Sequence, residues 1–445
     1  MRAWLVPALL VVALLVAASS AYQLRPLRLN SDGTFKILFL TDLHFGEGDA
    51  KDKTTAANIQ ALVDREDPDF VVLGGDTFSN YADTGPKPNK PRSWVEARWN
   101  LAVKHLVNRV QWATIFGNHD FSDLAPWDLA TLDASFAGSL TPPGIYGDYM
   151  LPIYDYGGTE VVTRLFMWNS GGTGIQQVQV DQYKNLSESL APSRVASLGF
   201  IHIPLPEMME AYNYGEVRGS LRDLEGICCH ETQTTFFDTL VEQDEIKIIT
   251  SGHDHGNDFV ARLDGIQLAY GKKTGSASYN SLLSANHLRV WGGRVYNLQL
   301  SQDTSDQPFG AQLYSEYRTY AESTSGTTSK YRFTVHSWIR LTNGKFDEQL
   351  KVREDIASQL MVTCCVGPTD VGYYIIVWVP VGVGLFILAV IAVAFLICWR
   401  KLGTKAFVQK LQSCCSCCCC SKSAQIKDGA ELEILSEDSL ETSSL

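Results

Sequence analysis

The sequence predicts an α/β domain followed by one membrane-spanning helix near the C-terminus. Three observations carry this. Short runs rich in Val, Ile, Leu and Phe alternate with helical spacings in the N-terminal part of the chain. Metal-ligand-type residues recur where those runs end. Near the C-terminus, Ile375–Cys398 is an uncharged apolar run, long enough at ~1.5 Å per residue to cross ~30 Å of hydrocarbon.

The elements follow in order. Met1–Ala21 has the make-up of a secretory signal: Arg2, an apolar Leu5–Ala18, then small residues at Ser19–Ser20–Ala21. Leu27–Leu29 and Phe35–Leu40 flank the turn Asn30–Ser31–Asp32–Gly33. The second run ends at Asp42-x-His44. A helix with Ile59, Leu62 and Val63 on one face stops at Asp67–Pro68. Phe70–Leu73 then reads as a strand ending at Gly75–Asp76. After a Gly/Pro/Asn-rich loop, Asp83–Arg92, a helix is expected over Ser93–Val110. Ala113–Phe116 ends at Gly117–Asn118–His119–Asp120.

The middle of the chain reads as less regular, with turns at Pro142–Gly147 and Gly171–Gly174. It holds one sequon, Asn185–Leu186–Ser187. Val195–Ile201 is a strand ending at His202. Phe236–Val241 is a helix leading into Ile246–Thr250, after which come Gly252–His253-x-His255. Residues at i and i+2 project to one side of a strand, so His253 and His255 can converge. Gly265–Tyr270 and Val295–Leu300 are closing strands. Ser301–Ser329 is polar and reads as a loop or linker, and alternating Phe333, Val335, Ile339 and Leu341 suggest one more strand.

Trp378 and Trp399 sit near the ends of the apolar run, and Arg400, Lys401, Lys405 and Lys410 follow it. That charge bias predicts a type I single-pass topology. The α/β domain would then face the exterior or an endomembrane lumen. The expected partition is a signal peptide (1–21), an α/β domain (22–300), a linker and juxtamembrane extension (301–372), a transmembrane helix (373–399) and a Cys-rich cytosolic tail (400–445). Cys228, Cys229, Cys364 and Cys365 fall on the oxidising side, which favours disulfides among them. On the other side, Cys414, Cys415 and Cys417–Cys420 are candidates for palmitoylation. Ser421–Leu445 is acidic and Ser-rich, with an end at Leu445 of the kind a PDZ groove accepts. A formal net charge of −12 argues against a nucleic-acid polymer as partner.

Collected in order, the strand ends are Asp42-x-His44, Gly75–Asp76, Gly117–Asn118–His119–Asp120, His202 and Gly252–His253-x-His255. Each alone has a plain reading as a cap, a turn or a buried histidine. As a set they resemble the calcineurin-like metallophosphoesterases. The runs Ile201–Glu207 and Tyr270–Gly275 are similar to the purple-acid-phosphatase-like branch whose first motif is Asp-x-His.

The resemblance implies a four-layer α/β/β/α sandwich and two metal ions, Fe, Mn or Zn. It implies that Asp42, His44 and His255 hold the first ion, that Asn118, His202 and His253 hold the second, and that Asp76 bridges them. Such pairs stand ~3.5–4 Å apart, clamp a phosphoryl group and share a hydroxide that attacks phosphorus. His119 would protonate the leaving group, with Asp120 orienting it. Where purple acid phosphatases carry Asp-x-Gly and a Tyr after the bridging Asp, this chain has His44 and Ser79. It therefore lacks the coloured tyrosinate. The expected reaction is hydrolysis of a phosphate monoester. A phosphodiesterase acting on nucleotides or phospholipid headgroups, and a non-catalytic receptor or scaffold, are the alternatives. Lys272 and Lys273 fit either a phosphate contact or a solvated turn. Cys228, Cys229 and His230 read as a disulfide region.

Overall fold

The computed structural model describes residues 24–349, apart from 80–89, 122, 145–146, 222–225, 231–233, 279–290, 303–314 and 323–327. Met1–Ala21, the run Ile375–Cys398, the cysteines at 414–420 and Ser421–Leu445, on which the expected leader, membrane span, acylation and tail fall, lie outside the described residues. Among the described residues no helix is long and apolar enough to cross a membrane.

Two sheets form the centre. One is built on β2 (Thr34–Leu40), β3 (Phe70–Gly74) and β4 (Gln111–Ile115), which are parallel neighbours. It continues through β12 (Gly292–Gln302), β14 (Thr328–Leu341) and β13 (Ser315–Glu322), in the order β13-β14-β12-β2-β3-β4. The short β15 (Phe346–Asp347) pairs with β14.

The second sheet runs β1 (Leu27–Arg28), β5 (Tyr149–Tyr154), β6 (Val161–Met167), β7 (Ser197–Phe200), β9 (Ile246–Ser251), β11 (Ile266–Tyr270), β10 (Val260–Leu263) and β8 (Val217–Arg218). In it β7 and β9 are parallel neighbours.

Strand alternation sorts the side chains into layers. Ile37, Phe39, Phe70 and Val72 point at the second sheet and pack with Leu165, Leu198, Phe200 and Ile248. Leu38, Leu40, Val71 and Leu73 point outward, onto Ile59, Leu62 and Val63 of α1 (Asp49–Glu66) and Trp99 and Val103 of α2 (Arg92–Val103). On the far side of the second sheet, Phe166, Ile201 and Ile249 pack with Val180 and Tyr183 of α4 (Gln177–Ser189) and Leu240 of α6 (Phe236–Gln243). The result is the expected α/β/β/α sandwich. Two further helices, α3 (Pro126–Ala134) and α5 (Glu207–Tyr214), lie between these elements in sequence.

Three expectations are corrected. The Ser93–Val110 helix ends at Val103, and the chain continues in tighter turns, with Leu106 N–H bonded to Val103 O and Arg109 N–H to Leu106 O. Ser301–Ser329 is not all loop, because β13 lies within it and pairs with β14 from Ser315 to Glu322. Its sequence, SEYRTYAE, has no sustained apolar alternation to read, and the backbone pairing marks it. The middle region is more regular than its turns suggest, since it holds β5, β6 and α4. The start of α4 is fixed by a reciprocal capping box between Gln176 and Gln179, an arrangement usually signalled by Ser or Thr.

Candidate metal centre

The carboxyl ends of β2, β3, β4, β7 and β9 meet at one edge of the sandwich. Close approach explains the glycines there. A Cβ on Gly117 would stand 2.2 Å from Asp76 Oδ1, and one on Gly75 2.4 Å from His202 Nδ1. Backbone strain marks the same place. Asp42, His44, Asp76 and His253 all adopt left-handed φ values, between 50° and 75°. Non-glycine residues hold that conformation only where surrounding structure enforces it, and such strain clusters at functional sites.

Six side chains converge in two groups of three. Ligand atoms of Asp42, His44 and His255 lie within 4.8 Å of one another, as do those of Asp76, His202 and His253. Asp76 sits between the groups, with Oδ2 3.6 Å from His44 Nε2 and 3.3 Å from His202 Nε2. His44 Nε2 and His255 Nε2 approach to 3.1 Å, and His255 Nε2 is 3.5 Å from Asp42 Oδ1. His202 donates from Nδ1 to Gly74 O at 2.9 Å, which leaves Nε2 buried with no hydrogen-bond partner. Asn118 Oδ1 is likewise buried and unpartnered. Buried polar atoms without partners are rare. The two carboxylates and four imidazoles gathered at this edge make a donor set that fits a pair of cations of the Zn, Mn or Fe kind.

The electrostatics agree. Burial would raise the Asp42 carboxyl, but the hydrogen bond and charge of His255 outweigh it and hold Asp42 well below the usual carboxylate range. Burial also opposes ionisation of Asp76, yet the charges of His202 and His119 hold it ionised. The His202 imidazolium is disfavoured by burial, but Asp76 lifts it to about 10. His44 goes the other way. Burial, together with the charge of Lys273, keeps it neutral.

His119 lies at the mouth of this cluster. Its backbone N–H donates to Asp76 Oδ1 at 2.8 Å, and its ring meets the His44 ring edge-on at 5.1 Å. Its side chain is 27% exposed, whereas His44 and His202 are fully buried. Asp120 also has a backbone role. Its oxygens accept the N–H groups of Gly117 (2.8 Å) and Phe78 (3.1 Å), so it braces the backbone of the β4 and β3 loops. Burial, with Asp76 nearby, pushes its carboxyl up to about 7.

Further residues support the ligands, and one of them, Glu47, has no signal of its own in the sequence. Glu47 Oε1 stands 3.2 Å from His44 Nδ1, a spacing of three that only the motif's position could have suggested. Lys273 Nζ lies 2.9 Å from His255 Nδ1, and Lys272 pairs with Asp258 at 2.8 Å. The two lysines are therefore buried structural cations and not parts of a solvated turn. Asp254 accepts the Cys228 N–H and the Tyr270 hydroxyl.

A calcineurin-like phosphoesterase family model matches residues 35–257, which covers every one of these ligand positions. The chain belongs to the calcineurin-like phosphoesterase family. Among its phosphoesterase relatives is the "probable inactive purple acid phosphatase 14" of Arabidopsis thaliana, 28% identical over 60% of this chain and 77% of that protein. The "phosphatase DCR2" of Saccharomyces cerevisiae is 26% identical over 54% of this chain and 48% of that protein. Among solved structures, a dimetal phosphatase from Danio rerio matches with a TM-score of 0.40 and 14% identity, covering 59% of this phosphoesterase and 95% of that chain.

Proposed function

We propose that this phosphoesterase hydrolyses phosphate monoesters at a paired metal centre, and that Ile375–Cys398 anchors it with that centre facing the exterior or an endomembrane lumen. The observation that carries the catalytic reading is the place of Asp76, within 3.6 Å of one imidazole from each group. Asp42, His44 and His255 would hold one ion, Asn118, His202 and His253 the other, and Asp76 both. When bound, the pair supplies Lewis-acid charge and a nucleophile at neutral pH.

The chain's own residues do the rest. Asp42 and Asp76 remain ionised because their neighbouring histidines stabilise the charge. His119, partly open to solvent beside Asp76, delivers a proton to the departing oxygen. Asp120 holds the backbone that positions Asn118 and His119. The disulfide at Cys229 supports an oxidising compartment, and the cysteines at 414–420 would add acyl anchors on the cytosolic side.

A second reading is a non-catalytic binding module. The name "probable inactive" carried by the Arabidopsis relative favours it. Against it stands the full set of seven ligand-type residues in this chain.

The test uses the full chain in detergent, assayed on a chromogenic monoester and diester, metal-loaded and chelated, with Asp76→Asn alongside. Chelator-sensitive monoester cleavage, lower by more than about a hundredfold in Asp76→Asn, is expected. Preference for the diester would move the assignment to phosphodiesterase. No cleavage with two bound ions would favour the binding module.

A further inference from the structure

His230 belongs to none of the ligand motifs, yet its backbone N–H and both ring nitrogens are committed. Its N–H donates to Pro204 O at 3.1 Å. Its ring Nε2 bonds Ile203 O at 2.8 Å, and Nδ1 accepts the N–H of Ile175 at 3.2 Å. This pattern requires a neutral ring with its proton on Nε2. The ring is buried, and it packs so closely on Gly174 that a Cβ there would stand 2.3 Å away.

The segment leading to it is bonded on its other side. Cys228 N–H donates to the Asp254 carboxylate at 3.1 Å, and Gly226 O accepts from Asn257 Nδ2 at 2.7 Å. Gly226–His230 is thus a strap between the loop after β7 and the loop after β9. Those loops supply His202 and His253, whose rings meet edge-on at 5.4 Å.

We propose that His230 is a positioning residue for the second ion: by fixing Ile203 and Pro204 it sets His202, and through the strap it holds His202 against His253. The inference rests on the paired-ion reading above and concerns only one half of it. Asp42 and His44 come from the end of β2, and their carbonyls and amides bond the β3 and β11 loops instead. Loosening the strap therefore acts on the second group and spares two of the three ligands of the first. Residues that orient a metal ligand from behind change ion affinity by about 10–100-fold.

The experiment measures bound ions and their affinities by isothermal titration of the full chain with Zn²⁺ or Mn²⁺, for wild type, His230→Leu, His230→Gln and His202→Ala. Far-UV circular dichroism checks folding. The wild type is expected to bind two ions. His230→Leu should bind one ion about 10–100-fold more weakly, the same ion that His202→Ala weakens, and the other with a distinctly smaller loss. His230→Gln retains a donor toward Ile203 O and should recover most of the loss, which also decides the matter if His230→Leu fails to fold. The proposal is overturned if His230→Leu binds both ions as the wild type does, if both affinities fall in step, or if His230→Gln is no better than His230→Leu. A wild type that binds fewer than two ions would remove the paired-ion reading, and this inference with it.

Discussion

The two halves of the centre use similar ligands but are held in different ways. Behind the first, side-chain charges stand at the back of the rings: Glu47 at His44 and Lys273 at His255. Behind the second stand backbone groups. His202 rests on Gly74 O, its loop is tied by His230, and His253 N–H donates to the Asp42 carboxylate at 3.2 Å. Either kind of partner orients a ligand ring, but a side-chain charge also adds a field that a neutral backbone group lacks. One half is therefore tuned electrostatically and the other mechanically, and the same class of substitution should act differently on each.

The largest contrast is at the seam. His119 bonds Asp76 through its backbone and touches His44 through its ring, but it contributes no ligand atom to either group. His119→Ala should lower turnover by about 10²–10⁴-fold with both ions retained, because the N–H that supports Asp76 survives the change. Metal content measured by mass spectrometry beside kcat decides this. An ion lost in proportion to activity would make His119 part of the metal scaffold and abolish its separate role.

A smaller effect is expected behind the first group. Glu47→Gln keeps the shape but removes the charge 3.2 Å from His44 Nδ1. The first ion should weaken by about 10–100-fold while the second is unchanged, the mirror image of the His230 result. Equal weakening of both would mean that the halves do not respond independently.

Much of this arrangement is legible in sequence, and the legible part has a physical cause. Asp42, Asp76, Asn118, His202 and His253 each follow a short apolar strand within three residues, so the run of Val, Ile, Leu and Phe announces where the polar group will project. What holds those ligands is not legible in the same way. Glu47, Asp120, His230 and Lys273 act through contacts made when loops from distant strands meet, and no local periodicity encodes such a meeting. His230 and His202 are joined by backbone carbonyls, which every residue possesses. β13 is hidden for a related reason, since its pairing uses main-chain groups and its sequence, SEYRTYAE, repeats no apolar face.

The finest distinction between the halves lies in their response to pH. Asp76 holds a proton on His202 up to about 10, and an ion must displace that proton to bind. A raised pKa means that the protonated form prevails throughout the neutral range, so affinity for the second ion should fall about tenfold for each unit that pH is lowered between about 8 and 6. His44 is already neutral across that window, because burial and Lys273 hold its pKa well below the ordinary histidine value. That ring therefore imposes no such slope on the first ion. Competition against a fluorescent chelator at several pH values would resolve the two affinities. Parallel slopes would show that both groups titrate together as one unit, and the division into a charge-tuned half and a backbone-held half would fail. Divergent slopes would give that division a direct measure.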